Sequence, residues 1–354
     1  MRSIKSTVSL SVKEMQRDAT RTGSLSLLPM RPVRLLSRSD LERALDFESV
    51  LRILELAFAT HEKGGFDTPK RIAARTSMGG LLAMPCAGGE PEALGAKLVT
   101  TFPGNSGLGR PGVAGLYALF DPGNGEPLAV MDGGFLTLVR TAGVSAVAAR
   151  VLARADAKTL GILGAGPQAE FHVRLLCSVR PIETVIVWSR NRERATVLVE
   201  RLRLRGVDGV SNWMVGESPD AAVRCDLVVT ATAATESVLE GALLADGAHL
   251  TAIGAHTPDT REIDTTAVTR AATIVVETSD TLQEAGDLQI AEREAGGVLH
   301  RVRTLGAVLG ASRESGPALS LFKSCGVAFE DLAVAQLAFE RSATMNLGSE
   351  FHLA

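Results

Sequence analysis

The sequence predicts an α/β protein in two parts: a mixed α+β sheet domain, then a doubly wound parallel sheet. Three observations predict it. From 31 to about 133, short apolar runs separated by Gly/Pro punctuation follow one strongly periodic helical stretch. From 158 onward apolar strands alternate with helices, and the strands carry no polar face, as a sheet covered on both sides requires. Between a strand and a helix at 159–172 stands TLGILGAGPQAEFH, with three close glycines.

The elements follow in order. SRSDLERALDFESVLRILELAFATHEKG (37–64) has helical periodicity behind a Ser/Asp start signal. RIAART, LLAMPCA, AKLVTTFP, GLYALFD and PLAVMDG read as strands with turns between them. FLTLVRTAGVSAVAARVLARA (135–155) reads as one helix, rich in small residues that allow close packing under a domain junction. Beyond 158 the strands are KTLGILG, ETVIVWS, DLVVTATA, AHLTAIG and TIVVE, and the helices PQAEFHVRLLCSVR and RERATVLVERLRLRG. The last segment, 320–345, is a short strand, a Gly turn and an amphipathic helix, and is expected to return to the first domain. The expected boundaries are an N-terminal extension over 1–30, a substrate-binding and dimerisation domain over 31–146 plus 302–354, and a dinucleotide-binding domain over 147–301.

Composition narrows the function. A length of 354 residues corresponds to about two domains, and 45% hydrophobic with 22% charged residues is ordinary for a soluble globular chain. A formal net charge of −3 without a clustered basic excess argues against nucleic acid as a partner. Cys86, Cys177, Cys225 and Cys325 share no metal-like spacing and fit reduced thiols in a cytoplasmic protein. The six histidines are scattered, so no metal site is expected. No apolar run reaches the roughly 20 residues that span a bilayer, and no membrane partner is expected. The first 30 residues are polar and basic and lack the apolar core of a secretory signal. They read as a poorly ordered extension, with a transit peptide as the alternative.

The glycine loop is a GxGxxA form: Gly164, Ala165, Gly166, Pro167, Gln168 and Ala169. The first glycine permits the tight turn, the second lets the backbone approach a diphosphate, and the final small residue allows close helix–strand packing. Pro167 suits the first helical position, and the helix start offers free N–H groups to an anion. An NAD site usually places an acid at the end of the next strand to bind the ribose hydroxyls. Here that strand ends in Ser189, Arg190 and Asn191. An arginine there suits a 2′-phosphate, so NADP(H) is favoured over NAD(H).

Arg71, Lys97 and Arg140 each lie in text that reads as buried. A lone strand charge can simply face solvent. Three together can also share one anionic ligand, a carboxylate or phosphate. His256, in AIGAHTPDTREID, follows a strand whose carboxyl end faces the ligand crevice. It is a candidate acid/base, or a loop histidine bound to backbone.

Across 31–345 the chain resembles the ornithine cyclodeaminase/mu-crystallin family. The resemblance rests on AKLVTTFPGN around Lys97, LTLVRTAGVSA, LGAGPQA, VWSRN, TAT at 230–232, GAHTPDTREID, EAGD at 284–287 and FKSCGVAFED at 322–331. It implies a discontinuous substrate and dimerisation domain around a Rossmann domain, and a homodimer. It implies that Arg71 and Lys97 hold the substrate's carboxylate and reacting nitrogen, with Arg140 between substrate and cofactor. Gly112, Gly164, Ala165, Gly166, Pro167, Gln168, Ser189, Arg190, Asn191, Thr230, Thr232 and Ser324 fall at dinucleotide contacts, and Glu284 at a ligand-facing position.

Departures from the family pattern bear on the reaction. Ornithine cyclodeaminases carry an acid where this chain has His256, a second where it has Leu82, and a third at the end of the second nucleotide-domain strand. All three are missing here. The expected reaction is therefore NADPH-dependent reduction of a cyclic ketimine, Δ1-pyrroline-2-carboxylate or Δ1-piperideine-2-carboxylate. Lys97 is the first candidate acid and His256 the second. The alternatives are cyclodeamination, amino acid dehydrogenation, and NADP(H)-dependent sequestration of a small ligand.

Overall fold

The computed structural model describes residues 31–311 and 318–353; the extension expected over 1–30 lies outside them. Two eight-stranded sheets organise the chain.

The first sheet is built from β1 (Val33–Leu36), β2 (Phe66–Asp67), β3 (Ile72–Arg75), β4 (Gly80–Gly88), β5 (Ala93–Thr101), β6 (Val113–Phe120) and β7 (Pro127–Asp132). The strand order is β16-β1-β7-β6-β5-β4-β2, with β3 also paired to β4 and β16 (Ser349–Phe351) at the edge. Helix α1 (Arg38–Ala44) starts at Ser37, which forms a capping box with Asp40. Helix α2 (Phe47–Glu62) is capped by Asp46 and buries Val50, Leu51, Leu54, Ala57 and Phe58 along one stripe, the expected result of its 3.6-residue period.

Helix α3 (Gly133–Leu152) is capped by Asp132 and buried almost throughout. Its small residues permit this: a Cβ on Gly143 would stand 2.6 Å from Leu54 Cδ1 of α2. By length and composition α3 could cross a bilayer, although no such run was expected. It is instead a core helix, packed against α2, the first sheet and the next helix.

The second sheet is wholly parallel. It alternates β8 (Thr159–Leu163), α4 (Pro167–Cys177), β9 (Thr184–Trp188), α5 (Arg192–Arg205), β10 (Asn212–Val215), α6 (Pro219–Val223), β11 (Leu227–Thr230) and β12 (His249–Ala252). Then come α7 (Thr265–Arg270), β13 (Thr273–Val276), α8 (Gly286–Ala295), β14 (Val302–Thr304), α9 (Leu305–Leu309) and β15 (Ser320–Lys323). Its order is β10-β9-β8-β11-β12-β15-β13-β14. Every residue of β11, β12 and β15 is buried, which is why their sequences show no polar alternation. Successive strands run to opposite sides of β8, so the crevice of this doubly wound sheet opens at the carboxyl ends of β8 and its neighbours.

Two expected boundaries shift. Helix α3 runs unbroken across 146/147. Strands β14 and β15, both beyond 301, belong to the second sheet, with β15 between β12 and β13. The return to the first sheet comes only with α10 (Ala328–Thr344), which packs across β4 and β5 and against α2 and α3. Strand order is a tertiary property: the apolar text of SLFK marks a buried strand without saying which neighbours it joins.

Candidate active site

The glycine loop is a turn that only glycine permits at its first position. Gly164 has φ of +125°, and a Cβ on it would stand 2.4 Å from the Ala231 carbonyl oxygen. Gly166 is extended, caps α4 and has nothing within 4 Å of where a Cβ would stand. That open space above the first turn of α4, with Pro167 at its start, fits the approach of a diphosphate to free backbone N–H groups. Gln168 Nε2 donates to the Thr137 carbonyl at 3.3 Å. Ala165 borders a depression whose other walls include Arg194 and Arg201 of α5.

At the end of β9, Ser189 Oγ accepts from the Asn191 N–H at 3.3 Å, and Asn191 Oδ1 caps α5 through the Arg194 N–H at 3.1 Å. Arg190 between them is exposed and makes no ion pair among the described residues. Its neighbour Arg192 is held by Glu217.

Thr230 ends β11 and Thr232 follows it, and both hydroxyls donate to the buried Glu262, at 2.9 Å and 2.7 Å. The N–H groups of Thr232 and Gly254 donate to the same carboxylate. Glu262 therefore ties together the loops after β11 and β12. Its own N–H donates to Asp287 at 2.7 Å, and Asp287 pairs with the buried Lys323 of β15. Ser324 donates to Glu277 at 2.5 Å, so its hydroxyl is committed to the protein. Gly112 lies between β5 and β6, its carbonyl accepting from the Phe102 N–H.

Between the two sheets lies a cavity of about 180 Å³. Lys70, Arg71 and Met84 line one side, Thr281 and Glu284 another, and Gly326 the floor. Arg71 donates to the Gly326 carbonyl at 2.9 Å and pairs with Glu284 at 2.7 Å. The segment carrying Gly326 is fixed by Glu277, which accepts from the N–H groups of Cys325 at 2.8 Å and Gly326 at 2.9 Å.

Lys97 and Arg140 lie deeper. Lys97 Nζ is 2.6 Å from Asp331 Oδ2, and Arg140 bridges Asp331 at 3.3 Å and Glu330 at 2.8 Å. The shared anion implied by three buried cations is thus, for two of them, the protein's own Asp331. Lys97 does not line the cavity; Met84, its register partner on β4, does. Burial and the Arg140 guanidinium push Lys97 down to about 8, against the pull of Asp331. Burial also drives Glu330 well up, reinforced by Glu277. Burial holds the Cys325 thiol up at about 12, so it stays protonated beside the cavity.

His256 stands apart. It is exposed, and among the described residues its ring bonds the Gly254 carbonyl of its own loop, the backbone-bound alternative raised by the sequence. Of the expected site residues, the fold brings together Arg71 and Glu284 at the cavity, and Lys97 and Arg140 beneath it. Five buried acids, Glu262, Glu277, Asp287, Glu330 and Asp331, together with Lys323, escaped the sequence reading. Glu277 and Lys323 stand at the end of an apolar strand, Glu262 in the connection into α7, and Asp287, Glu330 and Asp331 in the first turns of α8 and α10. A charge directly after a fully apolar strand was the available signal.

The model of the ornithine cyclodeaminase/mu-crystallin family matches residues 33–346. The chain is 36% identical over 214 residues to a Delta(1)-pyrroline-2-carboxylate reductase of Bacillus cereus, covering 60% of this chain and 65% of that relative. It is 35% identical over 245 residues to the ketimine reductase mu-crystallin of Mus musculus, covering 67% of this chain and 76% of that one. The structure of Thermococcus litoralis Delta(1)-pyrroline-2-carboxylate reductase in complex with NADH and L-proline superposes with a TM-score of 0.85 at 34% identity, over 90% of this chain and 99% of that chain.

Proposed function

The chain belongs to the ornithine cyclodeaminase/mu-crystallin family, and from that premise we propose that it reduces a cyclic ketimine carboxylate to the cyclic L-amino acid with NADPH. Δ1-Pyrroline-2-carboxylate and Δ1-piperideine-2-carboxylate are the proposed substrates. The observation that carries the reading is the cavity between the sheets, with Arg71 on its wall and two further cations beneath it. The similarity to reductases of such imines supports the same chemistry.

Arg71 binds the planar carboxylate through its forked donors, exchanging Glu284 for the substrate. Gly164 and Gly166 with the first turn of α4 hold the diphosphate, and Arg190 holds a 2′-phosphate. Its exposure, its lack of an ion pair among the described residues and the absence of an acid at this strand end support NADPH over NADH. When bound, the reduced dinucleotide supplies a hydride. Lys97, beneath the cavity floor beside the cavity-lining Met84, is the proposed source of the proton for the ring nitrogen, because a protonated imine is the better hydride acceptor. The cavity wall, with Arg71 on the carboxylate and Met84, Val327 and Ala328 as its apolar part, keeps the substrate in near-attack contact.

A homodimer is part of this proposal. The outer face of the first sheet carries an apolar row, Ile72, Ala83, Leu98 and Leu116, register partners across four strands. Of these, Ile72 is 68% and Leu116 42% exposed in the single chain. A second copy would cover this face, and Leu98→Asp should yield a monomer by size-exclusion chromatography.

The test is direct. Purified protein with NADPH and each ketimine should lose nicotinamide absorbance and form proline or pipecolate, faster than with NADH. Ammonia release from ornithine, or oxidation of linear amino acids, without ketimine reduction would overturn the reading. Tight cofactor-dependent ligand binding without turnover would assign a sequestering role instead.

A further inference from the structure

Asp331 is the group on which the two buried cations converge. It lies on the first turn of α10 with no exposed side chain, where the helix start favours a negative charge. Its two oxygens take different partners: Oδ2 meets Lys97 Nζ at 2.6 Å, and Oδ1 meets Arg140 Nε at 3.3 Å. Lys97 comes from β5 and Arg140 from α3, so one carboxylate sets the spacing of groups on two elements. Gly326 and Val327, immediately before α10, and Ala328, its first residue, line the cavity. A Cβ on Gly326 would stand 2.7 Å from both terminal nitrogens of Arg140, which places this cluster directly under the cavity floor.

On the reductase reading above, we propose that Asp331 is a positioning residue, which keeps Lys97 protonated and in place as the proton donor to the substrate's ring nitrogen. The imine carbon gains a hydride from the reduced dinucleotide, which is oxidised. The ring nitrogen gains a proton as one Lys97 Nζ–H bond breaks, and the neutral amine recovers a proton from solvent after product leaves.

The groups facing Lys97 come from several elements. Tyr117 is its register partner on β6, Cys86 lies on β4, Arg140 on α3, and Glu330 with Asp331 on α10; Glu277 stands behind Arg140. Burial raises Tyr117 and holds Cys86 up at about 12, so both remain neutral where Lys97 titrates. Arg140 disfavours the Lys97 charge, and Asp331 is the acid hydrogen-bonded to it.

The experiment is the pH profile of kcat/KM for Δ1-piperideine-2-carboxylate reduction. The wild type should lose activity on the alkaline side near 8. In Asp331→Asn that limb should move down by about 1–3 pH units, the range for losing a contacting opposite charge, and Asp331→Glu should restore it. If Asp331→Asn does not fold, the comparison moves to a Lys97→Met background, where both partners of the pair are removed together. There Asp331→Asn should cost less than about twofold in kcat/KM, because a residue acting through Lys97 has nothing left to act on. A further loss of about tenfold would overturn the proposal, as would an unmoved alkaline limb in folded Asp331→Asn. In either case reduction by the wild type stands. A wild type inactive on ketimines with either dinucleotide would instead overturn the reductase reading, and this proposal with it.

Discussion

Glu277 is an acid without surface exposure whose removal should be felt both in stability and at the cavity. It is 1% exposed, and its two oxygens accept from Ser324 Oγ, the Cys325 N–H, the Gly326 N–H and Thr281 Oγ1. Glu277→Gln keeps the shape but turns one oxygen into a donor. Cys325 N–H meets Oε2 at 2.8 Å, while Gly326 N–H meets both oxygens at 2.9 Å and 3.0 Å. Whichever way the amide is placed, a donor faces a donor. A buried donor left unsatisfied costs about 1–3 kcal/mol, and the charge-assisted bonds that remain are weakened, so the total is roughly 2–5 kcal/mol. Chemical denaturation should show that loss as a lower midpoint at unchanged slope. The loop also carries the Gly326 carbonyl that holds Arg71, so KM for the ketimine should rise more than kcat falls. A midpoint within error of wild type, with unchanged KM, would refute the claim that Glu277 holds this wall of the site.

Three other outcomes are expected. Gly164→Ala puts a side chain at φ +125° and 2.4 Å from the Ala231 carbonyl, so it should cost about 1–3 kcal/mol in strain and abolish dinucleotide binding measured by nicotinamide fluorescence; retained binding would remove the loop from the site. Arg190→Ala should weaken NADPH by roughly 10–100-fold and leave NADH nearly unchanged, and equal losses for both would refute the 2′-phosphate assignment. His172 and His249 are wholly buried, and burial pushes them down to about 4 and about 3. Unfolded, both titrate near 6.5, so below that pH the unfolded chain binds protons that the folded chain does not. Stability should therefore fall as the pH drops from about 6 toward 4, by roughly 1.4 kcal/mol per histidine per pH unit, and a urea midpoint flat across that window would contradict their burial as neutral rings.

Local chemistry was legible in the sequence because it acts over a few residues. The turn at Gly164, the proline start of α4, the helix start at Ser37 and the unbroken apolar strands each follow from backbone sterics or burial on two faces. The resemblance also singled out Arg71 and Glu284, which line the cavity, although their mutual ion pair was not foreseen. Partners far apart in sequence were decided only by folding. Strand β15 slots between β12 and β13, which a stretch of four apolar-flanked residues cannot announce. Lys97 and Asp331 are 234 residues apart, and Glu277 reaches a loop some 48 residues on. In isolation each of these charges reads as a solvated surface group. Only the packing of α10 across β4 and β5 removes the water that would otherwise screen them, and in that dry site opposite charges must pair or be neutralised.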